Sequence, residues 1–181
     1  MSTWIAILRG INVSGARKLP MKELKELFDG LKRGNVRTYI QSGNVVFYSA
    51  KLDPASFGRK AEIAIKKKYD YDVPVLIRSL AEMKQVAMLN PYLKRTDIEL
   101  DKLHVTFLAE PPKKTEVEKI AGTTFGNDSF ELLGREVFVH CPDGYGNSKL
   151  NNNWFENKLK VRATTRNWRT VHELVRMGEE G

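Results

Sequence analysis

Apolar and polar positions along this chain alternate between two periods. Residues 4–9 form a short apolar strand, with Trp4, Ala6 and Leu8 on one side and Ile5 and Ile7 on the other. A polar, glycine-containing loop covers 10–18. Behind Pro20, Met21, Leu24, Leu27, Phe28 and Leu31 recur at helical spacing, and the pattern stops before Gly34. Two β-rich runs, 36–41 and 44–48, lie on either side of Ser42-Gly43, which predicts a hairpin with a two-residue turn. Asp53-Pro54 then offers a cap and a first-turn proline to a helix carrying Phe57, Ala61, Ala64 and Ile65, and a strand follows at 73–78.

The order β-α-β-β-α-β then returns. Ser79-Leu80-Ala81-Glu82 has capping-box spacing and opens a linking helix that stops before Pro91. Beyond it the pattern predicts a strand at 103–108, a helix at 112–121, a hairpin of 130–133 with 136–141 across Gly134-Arg135, and a helix at 150–160. A short strand at 161–164 and a terminal helix at 167–177, striped by Trp168, Val171, Leu174 and Val175, close the chain. The expected fold is α+β: two tandem ferredoxin-like (βαββαβ) halves with antiparallel sheets, plus a linking helix and a C-terminal helix. The boundaries fall at 1–78, 79–102 and 103–181. Residue identity between the halves is slight, so the repeat is one of pattern. The first strand is apolar on both sides, so its sheet should be covered twice, by the other half or by a homodimer partner. That argues against an open sheet with exposed aromatics for reading RNA.

Composition sets the class. With 41% apolar and 29% charged residues among 181, the chain can build a packed core and lacks the signature of disorder. No stretch approaches the roughly 18 apolar residues of a membrane span, and no signal peptide opens the chain, so a soluble, cytoplasmic protein with no membrane partner is expected. Cys141 is the single cysteine; no intramolecular disulfide is possible, and the residue reads as a small buried hydrophobe. The net charge of +8 favours an anionic partner. Arg59-Lys60 and Lys66-Lys67-Lys68 share one helix and read as a solvated face. His104, His140 and His172 are scattered singly, and no metal or cofactor is expected.

Three segments stand out together: residues 8–13 (Leu-Arg-Gly-Ile-Asn-Val), 38–47 (Thr-Tyr-Ile-Gln-Ser-Gly-Asn-Val-Val-Phe) and 163–168 (Ala-Thr-Thr-Arg-Asn-Trp). In this order and spacing the chain resembles an uncharacterised bacterial family, domain of unknown function 1697, over nearly its whole length. The resemblance implies the two-part ferredoxin-like architecture and supplies no activity or catalytic residue. The family commonly has two glycines where this chain has Ser14-Gly15, and an arginine where it has Asn147.

Candidate chemistry gathers at three predicted helix starts. Arg9, Asn12, Arg17 and Lys18 surround the entrance to the first helix, where free N–H groups and the helix dipole receive anions. Gly144-Tyr145-Gly146-Asn147-Ser148-Lys149 lacks Walker spacing, which excludes a nucleotide P-loop, but Ser148 as a helix cap with Lys149 in the first turn suits one phosphate. Three asparagines, 151–153, crowd the same helix start. Arg166 and Asn167 stand at the terminal helix start, with Thr164 and Thr165 as hydroxyl caps. Gln41, Ser42 and Asn44 add amide and hydroxyl groups to the ligand-binding set, with no nearby base to activate Ser42. Three readings stand: a binder of a phosphorylated small molecule, nucleotide or nucleic-acid backbone; an enzyme acting on a small polar substrate, with no base to nominate; and a protein-interaction module.

Overall fold

In the computed structural model, which describes residues 2–31 and 34–180, β1 (Ser2–Leu8) lies at the centre of a four-stranded sheet. It is followed by α1 (Met21–Gly30), β2 (Gly34–Tyr39), β3 (Asn44–Ser49), α2 (Pro54–Tyr69) and β4 (Val75–Ser79). Residues 32 and 33, where the helical pattern was expected to end, lie outside the described residues. The sheet order is β2-β3-β1-β4, and β1 pairs antiparallel with both neighbours. Helix α2 starts as its sequence dictates: Ser56 N–H donates to Asp53 Oδ2 at 3.1 Å, Pro54 fills the first turn, and Asp70 ends the helix in the left-handed conformation.

After α3 (Leu80–Leu89) the same order recurs in β5 (Leu103–Leu108), α4 (Lys114–Ile120), β6 (Ser129–Leu133), β7 (Glu136–His140), α5 (Asn152–Leu159) and β8 (Ala163–Asn167), and α6 (Trp168–Glu179) ends the chain. The second sheet runs β6-β7-β5-β8, all antiparallel. The protein is therefore α+β with two four-stranded antiparallel sheets. It divides into two compact units, Met1–Gln85 with Glu173–Gly181, and Val86–His172.

In the first unit Ala6, Leu8, Val45, Phe47 and Ile77 meet α1 and α2, and Phe28, Phe47 and Phe57 pack with ring centroids 5.0–5.8 Å apart. The far end of α6 belongs here too. Thr3 Oγ1 donates to Gly178 O at 3.4 Å, Arg37 donates to Met177 O, and Lys84 pairs with Glu179 at 2.7 Å. In the second unit Leu108, Val137, Val139 and Ala163 pack on Ile120, Phe155 and Leu159. The opposite faces are buried as well, through Ile5, Ile7, Val46 and Leu76 in one sheet and Val105, Phe107 and Phe138 in the other. Both faces of β1 are thus covered, as its two-sided apolar pattern requires.

Several boundaries differ from the sequence pattern for identifiable reasons. The first hairpin turns over residues 40–43, with Tyr39 opposite Asn44, and not over Ser42-Gly43 alone. Both Ile40 (φ 47°) and Gly43 (φ 81°) take left-handed backbone there. β4 begins at Val75 because Pro74 has no N–H for the ladder; its carbonyl accepts from Arg9 N–H at 3.0 Å. β8 runs to Asn167 because Thr164, Thr165 and Arg166 pair with Phe107, Thr106 and Val105, so the threonines are strand residues and not caps.

Candidate functional site

The loop after β1 is a small, braced structure. Val13 and Ala16 bridge across a tight turn, Asn12 N–H donates to Arg17 O at 3.2 Å, and Asn12, Ser14, Gly15 and Arg17 all have positive φ. Asn12 holds this loop with its side chain: Nδ2 donates to Leu19 O and to Gln41 O, both at 2.9 Å, and Oδ1 accepts from Leu19 N–H at 2.8 Å. Asparagine does this at low strain because it tolerates the left-handed region. The two family-like segments of the first unit therefore converge. Gly43 packs against Ile11 and Leu8, and Leu8 N–H donates to Gly43 O at 2.9 Å.

Of the other sequence candidates in this unit, Asn44 is fully buried and closes the hairpin, its Nδ2 donating to Tyr39 O at 3.0 Å and to Ser42 Oγ at 3.2 Å. Gln41 contributes its backbone carbonyl and leaves its side chain on an exposed residue. Arg9 is half-buried, whereas Arg17 and Lys18 are exposed. Arg17 folds its guanidinium back over Gly10, so that a Cβ there would sit 3.3 Å from Nη1. Neither Arg17 nor Lys18 makes an ion pair among the described residues.

The second unit uses its polar residues differently. Ser148 does not cap α5; Asn151 does, its Oδ1 accepting from Trp154 N–H at 3.0 Å, while Ser148 Oγ accepts from Leu150 N–H at 3.0 Å in the loop before the helix. Asn152 turns inward, accepting from Thr165 Oγ1 at 2.7 Å, and Thr165 in turn meets Thr106 Oγ1 at 2.7 Å. Two of the three clustered asparagines are thus explained, Asn151 by a cap and Asn152 by a strand contact. Lys149 lies over the Phe125 ring with Nζ 5.7 Å from its centroid. Asn167 caps α6, accepting from Thr170 N–H at 2.8 Å. Arg166 is buried, donating to Thr164 Oγ1 at 3.0 Å and to Thr165 O at 2.9 Å. Burial pushes its guanidinium down to about 9, which still leaves it charged at neutral pH.

A second buried arginine escaped the sequence reading. Arg78 on β4 is 1% exposed and donates Nη1 to Ile77 O at 3.1 Å. It is the equivalent of Arg166: each is the fourth residue of its closing strand, each pairs across to the third or fourth residue of the central strand (Ile5 and Val105), and each precedes the residue that caps the next helix. The signal was present as Arg-Ser and Arg-Asn directly before two predicted helices.

The three histidines sit apart. His104 stacks on Tyr145 with centroids 4.4 Å apart, and burial lowers its pKa, so the ring is neutral at physiological pH. His140 lies against Tyr92 and His172 against Trp168. Among the described residues no group of three His, Cys, Asp or Glu is placed to hold a metal ion. Cys141 is buried, and burial pushes its thiol up to about 11, far from the range of a reactive thiolate.

These features define a two-sheet α+β protein with braced polar loops and no assembled metal cluster among its described residues. The sequence matches the family described as a protein of unknown function (DUF1697) over residues 1–138, and the chain belongs to that family. Its fold is similar to that of the conserved bacterial protein SP0830 from Streptococcus pneumoniae, with a TM-score of 0.75, 21% identity, and 98% of each chain covered. No curated protein matches the chain. Among the described residues no helix is long and apolar enough to cross a membrane.

Proposed function

We propose that the loop after β1 and the adjoining hairpin receive a phosphate-bearing anion, with Arg17 and Lys18 as the contacting cations and Arg9 beside them. The observation that supports this reading is the pairing of two exposed, adjacent cations with a backbone that Asn12 holds by three side-chain bonds. A braced loop loses little conformational freedom on binding, so charge-assisted bonds from it count more fully towards affinity. In the second unit Ser148, Lys149, Arg166 and Asn167 are engaged in turn, ring, strand and cap contacts. The proposal therefore centres on the first unit. We further propose that both units are ferredoxin-like domains, from the shared βαββαβ order and the equivalent sheet orders. Cross-strand nuclear Overhauser contacts from Ile5 to both Val46 and Arg78 check the pairing on which that assignment depends.

The binding test is calorimetric titration of the full chain with inorganic phosphate, a nucleotide and a sugar phosphate at low and physiological salt. At least one should bind, and Arg17→Ala with Lys18→Ala should weaken it by about tenfold or more, since bonds to charged groups contribute roughly 1.5–3 kcal/mol each. The melting temperature should hold, because both residues are on the surface. Affinity unchanged in the double variant would sink the proposal.

A further inference from the structure

The hairpin tip beside this loop carries a residue that the fold itself does not favour. Ile40 takes φ 47°, where a β-branched side chain is strained, and the residue is 45% exposed. Asparagine or glycine would adopt the same turn with less strain. Val13 opens the neighbouring tight turn, closed by Ala16 N–H donating to Val13 O at 2.9 Å, and is 59% exposed. The bond from Asn12 Nδ2 to Gln41 O, at 2.9 Å, ties the residue before Val13 to the residue after Ile40. Two exposed aliphatic tips therefore stand on adjacent loops that brace one another. Residues 1–22 and 30–52 contain no Asp or Glu, and Arg9, Arg17 and Lys18 come from the first of these stretches; the carboxylates of Asp70 and Asp72, ahead of β4, are paired with Lys66.

We infer that these two loops dock the protein on an anionic lipid surface, Val13 and Ile40 entering the headgroup boundary while Arg9, Arg17 and Lys18 meet lipid phosphates. This rests on the anion-binding reading above and names its partner. The strained backbone at Ile40 carries a side chain left 45% exposed, and an aliphatic side chain at a loop tip gains when it enters the apolar edge of a bilayer. Projecting aliphatic tips need no complementary groove, and they lack the aromatic faces on which single-stranded nucleic acid stacks. The surrounding cations complement an anionic leaflet. Surface contact requires no spanning helix, so the sequence expectation of no membrane partner, which rested on the absence of a span, does not bear on it.

The test is co-sedimentation of the full chain with vesicles of phosphatidylcholine alone and of phosphatidylcholine mixed with phosphatidylglycerol. Binding should be stronger to the mixed vesicles by about tenfold or more and should fall as salt is raised. Ile40→Asn should weaken that binding severalfold while raising the melting temperature, a combination that a purely structural role for Ile40 does not produce. Val13→Ser should weaken it without moving the melting temperature. Mixed vesicles that fail to carry the protein down, or binding indifferent to both substitutions, overturns the inference. Soluble phosphates that still bind would then leave the anion-binding reading standing; with neither vesicles nor phosphates bound, both fall.

Discussion

Gly43 shows how much one position can demand. Its φ of 81° already disfavours any side chain, and a Cβ there would meet Ile11 Cδ1 at 2.6 Å and Leu8 Cβ at 2.9 Å. Gly134, at φ 63°, shares the backbone demand but has open space around it. Gly43→Ala should therefore destabilise by about 2–4 kcal/mol, strain and overpacking together, whereas Gly134→Ala should lose only about 1–2 kcal/mol. Urea unfolding of the two variants measures the difference, and equal losses would mean that the Ile11 contact relaxes freely. The sequence marked both glycines as turn residues, but it could not rank them, because the clash depends on a loop thirty residues earlier in the chain. Asn12 was hidden in the same way. It was singled out for a ligand, and its amide instead bonds Leu19 and Gln41.

At the level of elements, local chemistry was legible where one cap candidate alone preceded the helical period. The capping box was read from four letters, and it forms: Ser79 N–H donates to Glu82 Oε2 at 2.7 Å and Glu82 N–H to Ser79 Oγ at 3.2 Å. The cap of α5 was misread by three residues because Ser148 and Asn151 are both good caps and Lys149-Leu150 between them is too short to carry an apolar period. The two serve different ends, and stability separates them. Asn151→Ala removes the bond to Trp154 N–H and should lower stability by about 1 kcal/mol, while Ser148→Ala, which removes a loop contact to Leu150 N–H, should lose about half that. Chemical denaturation of the pair checks the order, and a larger loss at Ser148 would return the cap to that position. β8 was cut short at 164 because Thr-Thr-Arg-Asn looks like a helix entrance by composition, and only the ladder to β5 shows that all four of those residues are strand.

For the whole molecule, the repeated β-α-β-β-α-β order could be read from the chain because each element declares its period locally, whereas the destination of α6 could not. An amphipathic stripe says that a face is buried and is silent about what buries it. The helix begins in the second unit, and its last residues return to the first, some ninety positions after that unit's other elements end. There Met177 is buried and its carbonyl accepts from Arg37 on β2, while Gly178 lies against Leu80, where a Cβ would come within 2.6 Å of Leu80 Cδ1. A chain stopped after Arg176 keeps Trp168, Val171 and Leu174 but loses Met177, its carbonyl and the Lys84–Glu179 pair. It should lose about 2–4 kcal/mol, the sum of a truncated buried methionine and an arginine left short of an acceptor. The exposed ion pair adds little. Because each unit has its own core, the loss should be local: hydrogen exchange should quicken at the amides of β1 and β2 and stay unchanged at those of β6 and β7. Equal acceleration in both sheets would show that the last turn of α6 supports the chain as one cooperative body, and no acceleration in β1 would show that the first unit closes without it.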